Sequence, residues 1–82
     1  MADPVILDAK GLKCPLPVLK ARKAMKNVAA GGVLRVLATD PGAVGDFEHF
    51  CKVTGHRLLG HHEQDGIFWF DIEKRDLEQA SP

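Results

Sequence analysis

The run VLRVLAT, residues 33–39, is apolar at nearly every position, and no other stretch limits the fold so strongly. Such a run suits a central strand, buried on one face and partly covered on the other. It needs a neighbour on each edge, and a chain of 82 residues must supply both through short connections. VILDA, residues 5–9, reads as a short strand ahead of it. After it, HRLLGHHE and IFWFDIEK flank QDG, a tight β-hairpin signal. In the last strand Phe68, Phe70 and Ile72 alternate with Ile67, Trp69 and Asp71, so one face is expected to be core.

Two helical stretches separate these strands. In PLPVLKARKAMKNV, residues 15–28, Val18, Ala21, Met25 and Val28 recur at helical spacing, and Lys20, Lys23 and Lys26 lie elsewhere. The glycines of AGG are expected to stop this helix. TDPG then offers Asp40 as an N-cap with Pro41 at the first helical position. The second helix is expected to run to Thr54, with Phe47, Phe50, Cys51 and Thr54 on one face and Gly55 ending it.

The order is therefore β-α-β-α-β-β. Two amphipathic helices need one apolar sheet face to bury against. The expected architecture is an α/β (α+β) two-layer sandwich, with a four-stranded mixed sheet and both helices on one face. Its first crossover should be right-handed. The domain is expected to span residues 1–75, leaving 76–82 as a disordered tail.

A chain this short buries only about 60% of the surface its unfolded form exposes. One modest core is possible, and any chemistry belongs at the surface. The longest apolar runs are far too short to span a bilayer. The segment MADPVILDAKG lacks a basic n-region and a long apolar stretch, so a cytoplasmic location is expected. In that setting two cysteines do not suggest a disulfide framework, although a Cys14–Cys51 bridge is the alternative. Net charge is zero but uneven. Residues 1–26 hold six bases against two acids, and residues 40–82 hold nine acids against four bases. The basic end is either a solvated helix face or a docking surface for an acidic partner or RNA.

Within that basic end, GLKCPLP places Cys14 where the first strand gives way to a helix. A residue before proline is pushed into extended conformations, which suits an N-cap. Pro15 and Pro17 then occupy the first turn, where a missing N–H costs little, though Leu16 before Pro17 should resist helical angles and delay the regular helix. The positive end of the helix dipole and the neighbouring Lys13 favour thiolate, so the expected pKa lies below the free value of about 8.5. Gly11, Lys13 and the prolines suggest an exposed turn rather than a cysteine buried under the helix end. No CxxC is present, so dithiol exchange is not indicated.

The segment LDAKGLKCPLPVLKARKAM, with its CPxP signature just after the first strand, closely resembles the opening of the TusA/SirA-like sulfur-carrier family. ATDPGAVGDF, FCKVTGH and the hairpin EQDGIFWFDIEK match as well, so the likeness covers roughly residues 5–74. It implies the two-layer fold argued above. It also implies a persulfide sulfurtransferase role without a cofactor: Cys14 accepts sulfane sulfur from a cysteine desulfurase or rhodanese-type donor and relays it to an acceptor protein. Pathways open to the family include tRNA thiolation, sulfur oxidation and cofactor sulfur supply. On this reading Lys13, Pro15 and Pro17 support the cysteine, and Lys10, Leu16, Lys20 and Lys23 face partners. Some members serving tRNA thiolation carry Glu between the two prolines, where this chain has Leu16; that leucine is either a partner contact or packing. A carrier of this size is expected to act as a monomer that meets partners transiently.

Other residues carry less. Cys51 reads as core, with a resolving thiol as the alternative. His61 and His62 are adjacent on a strand and point to opposite faces, and no histidine spacing matches a zinc site. Asp46 reads as a solvated helix position, with a place near the cysteine loop as the alternative, and Trp69 either contacts a partner or covers the open side of the sheet. A reading from another class is a non-catalytic regulatory or RNA-binding module using the basic first helix. It lacks interleaved aromatics beyond Trp69, so direct nucleic-acid binding is not expected.

Overall fold

The computed structural model describes residues 4–75. The expected tail, residues 76–82, lies outside the described residues. The elements are β1 (Val5–Ala9), α1 (Leu16–Met25), β2 (Val33–Ala38), α2 (Ala43–Thr54), β3 (Arg57–Gln64) and β4 (Ile67–Glu73). The sheet order is β1-β2-β4-β3. β1 and β2 are parallel, and β4 runs antiparallel to both β2 and β3. The mixed two-layer sandwich expected from the pattern is the fold, and VLRVLAT is central in it.

Alternation along β2 and β4 sets the two faces of the sheet. Leu34, Val36, Ala38, Phe70 and Ile72 are buried toward the helices, together with Ala21 and Met25 of α1 and Phe47, Phe50 and Cys51 of α2. Phe70 packs on Phe47 at 4.6 Å between ring centroids. The opposite face is half-covered by its own side chains. Arg35 donates two hydrogen bonds to its cross-strand partner Asp71, at 2.8 and 3.2 Å, and its guanidinium lies 6.0 Å from the Trp69 ring centroid. His62 stacks on Trp69, whereas His61 faces Phe70 on the core side. Trp69 is thus a half-buried lid on the open face.

The end of α1 differs from expectation, whereas the hairpin turn does not. α1 ends at Met25, well before the glycines, because the chain tightens: Asn27 and Val28 donate to carbonyls only three residues back, Ala24 and Met25. Val28 still reaches the core through that turn. At the hairpin, Asp65 and Gly66 both have positive φ, 54° and 81°, as a two-residue type I′ turn demands. Gly66 has open space around a notional Cβ, so Gly66→Ala should cost only backbone strain, roughly 1–2 kcal/mol. Urea unfolding would read that loss directly.

Candidate functional site at the β1–α1 loop

Parallel strands β1 and β2 end side by side, so the loops that follow them are neighbours. Their contacts are polar and specific. Gly11 N–H donates to Thr39 Oγ1 at 2.9 Å, and Cys14 N–H donates to Asp40 Oδ2 at 2.9 Å. Gly42 lets the second loop close in, since a Cβ there would lie 3.2 Å from that Asp40 oxygen and 3.5 Å from Cys14 Cβ. The cysteine backbone is therefore clamped from across the site, and its side chain remains exposed.

This geometry corrects the expected role of Asp40. α2 begins two residues later than TDPG suggested, with Gly42 in the capping position and no side-chain cap bond. The Asp40 carboxylate is spent on the Cys14 amide instead, while its carbonyl accepts from Ala43 N–H at 3.0 Å. The capping position of α1 also moves by one. Pro15 holds it, Leu16 is the first helical residue, and Pro17 is buried in the first turn. The helix begins one residue later than the first proline suggested, but Leu16 is itself helical despite preceding Pro17, and Cys14 lies just before the cap. The Cys14–Pro15 peptide is cis.

A second correction concerns the sulfur. Asp46, expected to be a solvated helix position, accepts a hydrogen bond at Oδ2 from the Cys14 thiol. The pKa of Cys14 is pushed up to about 11 rather than down. The hydrogen bond to Asp46 is the largest cause, followed by desolvation and by the charges of Asp46 and Asp40. A thiolate beside two carboxylates is disfavoured, which overturns the lowered value expected from the helix start and Lys13. Cys51 is also held at about 11, by burial alone. It is a core thiol, with 7% of its surface exposed.

Both shifts make stability depend on alkali. The folded pKa values exceed the ordinary 9.0, so the folded state binds these protons more tightly. Their contribution is fully present below pH 9 and is lost as pH rises from about 9 to 11. Urea midpoints are expected to fall across that window, and to fall less in Cys51→Ala.

Beside Cys14, α1 and α2 leave a groove of about 240 Å³ lined by Pro15, Val18, Arg22, Asp46, His49, Phe50 and Val53. The basic residues singled out by sequence divide here. Lys20 and Lys23 line a different hollow, with Leu7, Ala24 and Asn27. Lys10 is exposed at the end of β1, and its ammonium stands 4.0 Å from Asp8. Leu16 is 47% exposed, so it is available to a partner rather than packed away. Arg22, which sequence reasoning passed over, is the α1 base that shares the groove with Asp46. Among the described residues no cluster of His, Cys, Asp or Glu is arranged to hold a metal.

These features define a class: a small two-layer domain presenting one thiol on a clamped strand-end loop, at the mouth of a groove between two helices. The family described as Sulfurtransferase TusA matches residues 5–74, and the chain belongs to this family of sulfur carriers. Sulfur carrier protein TusA of Allochromatium vinosum is 52% identical over 68 residues, covering 83% of this chain and 90% of its own. Its counterpart in Pseudomonas entomophila is 48% identical over 69 residues, covering 84% of this chain and 86% of its own. A solved SirA-like protein from Desulfitobacterium hafniense superposes with a TM-score of 0.76 at 28% identity, covering 88% of this chain and 99% of that one. A sulfur carrier takes its cargo from a donor and gives it to an acceptor. Among the described residues no helix is long and apolar enough to cross a membrane.

Proposed function

We propose that Cys14 is the sulfur-carrying residue, taking up sulfane sulfur as a persulfide and relaying it to an acceptor protein. The observation that carries this reading is the exposed Cys14 sulfur on a loop whose backbone is clamped by Asp40. The other thiol, Cys51, is buried and unsuited to meeting partners.

Loading is an exchange at sulfur. Cys14 attacks the terminal sulfur of a donor persulfide R–S–SH; the Cys14 S–S bond forms, the donor S–S bond breaks, and the electron pair leaves on R–S⁻. The proton lost by Cys14 ends on the leaving thiolate, so nothing is oxidised overall. The acceptor thiolate then repeats the step on Cys14–S–SH and regenerates the cysteine. A desulfurase or a rhodanese-type enzyme is the donor class this chemistry requires.

Pro15 and Pro17 stiffen the start of α1, and Lys13 stands next to the cysteine in an exposed turn. Lys20 and Lys23, in their separate hollow, and Lys10 offer positive charge to a partner at a distance from the groove, and exposed Leu16 offers an apolar contact at the start of α1. The nucleic-acid reading gains nothing from this arrangement, because the basic helix and Trp69 lie on opposite sides of the sheet. The protein should work in the cytoplasm as a transient partner, with the pathway set by the acceptor it meets.

A relay assay tests this. The protein is incubated with a cysteine desulfurase and sulfur-labelled cysteine, desalted, and offered dithiothreitol. Label that stays with the protein and is released by the thiol supports a persulfide carrier. An active donor that leaves no thiol-releasable label, with thiosulfate and a rhodanese failing likewise, would refute it.

A further inference from the structure

At rest Cys14 is a poor nucleophile. With a pKa of about 11, only about one molecule in ten thousand holds a thiolate at pH 7. The groups around the sulfur are identifiable. Asp46 hydrogen-bonds it from α2, Asp40 faces it from the β2–α2 loop, and Lys13 precedes it in the chain. Arg22 of α1 and His49 of α2 line the groove that Asp46 shares.

Asp46 has two conceivable roles toward that thiol. As a base it would have to pull off a proton that its own hydrogen bond and charge hold on the sulfur, an uphill transfer. As a hydrogen-bond acceptor it does what the geometry shows: it keeps the proton on sulfur and fixes where the sulfur points. The second role needs no unfavourable step.

We propose that Asp46 restrains sulfur loading, holding Cys14 as a thiol beside the α1–α2 groove until a donor seated there engages the carboxylate. The inference rests on the carrier reading of Cys14. Its basis is the Cys14–Asp46 contact together with the shared lining of the groove: Asp46 is at once the sulfur's partner and part of the surface a donor would meet. Among the described residues neither ion pair involves Asp46, so its charge is open to a cation or N–H group of the donor. The hold protects the carrier from chance electrophiles between encounters, and it is released where sulfur is supplied.

The test uses the full chain as wild type, Asp46→Asn and Asp46→Glu. Alkylation of the Cys14 peptide by iodoacetamide is followed from pH 6 to 11 by mass. In Asp46→Asn the midpoint should fall from about 11 toward 9. A full return to 9 would raise thiolate at pH 7 about 100-fold while intrinsic nucleophilicity falls about 10-fold; desolvation and Asp40 keep part of the shift, so the net gain is at most about 10-fold. Asp46→Glu, which keeps a carboxylate, should stay nearer wild type. Loading by glutathione persulfide should accelerate in step with alkylation. An unchanged midpoint in Asp46→Asn overturns the proposal, since a merely structural Asp46 would not move a titration. A shifted midpoint in a protein whose wild type takes no sulfur from any donor overturns the carrier reading instead.

Discussion

Phe70→Ala is expected to remove about 3–5 kcal/mol of stability, the range for deleting a buried aromatic ring. Phe70 is fully buried on β4, the strand that joins β2 to β3. Its ring lies 4.6 Å from Phe47 of α2 and 5.9 Å from His61 of β3. Its cross-strand partner in β2 is Val36, also fully buried. The cavity would therefore open where three strands and a helix meet. A domain of this size has roughly 4–12 kcal/mol in total, at 0.05–0.15 per residue. The variant should consequently lose about a quarter or more of its total stability, with a urea midpoint far below wild type. A loss under about 1 kcal/mol would mean that the core is centred elsewhere.

Cys14→Ser is expected to abolish sulfur uptake and leave the fold intact. A serine hydroxyl stays protonated throughout the working range and cannot hold sulfane sulfur as a persulfide. It can still donate to Asp46, so the local hydrogen bond survives. Because Cys14 is exposed, the stability change should stay within about 0.5 kcal/mol. The same substitution at Cys51 behaves in the opposite way. There a hydroxyl enters the core beside Phe47 and Phe50, costing about 1–3 kcal/mol if it finds no partner, and uptake on Cys14 persists. The two serine variants thus separate chemistry from folding.

The fold was legible because its signals are local. Leu34, Val36 and Ala38 alternate with half-buried neighbours along β2, and Ala21 and Met25 sit one turn apart on α1. Period alone places such residues. The turn at Asp65 and Gly66 was legible because both residue types tolerate positive φ. The place of Cys14 followed from a strand end and two prolines.

Its electrostatic surroundings were not legible, for a physical reason. Asp40 and Asp46 lie 26 and 32 residues further along the chain, and only the parallel pairing of β1 with β2 brings their loop to the cysteine. A DP pair reads as a helix cap by every local rule, and nothing local says that its carboxylate is taken by a distant amide. The expected activation of the thiol failed at the same point, since the dipole and Lys13 were weighed without the two carboxylates across the site. The six-residue spacing of Asp40 and Asp46 around Gly42, in ATDPGAVGDF, was the available clue.

The most direct test of the central claim is the mass of the Cys14 peptide, taken without reductant after incubation with a cysteine desulfurase and cysteine, with Cys14→Ser treated in parallel. A gain of about 32 Da, one sulfur atom, on that peptide and its absence from the variant is the predicted result. A gain on the Cys51 peptide, or one that persists in Cys14→Ser, would contradict the account.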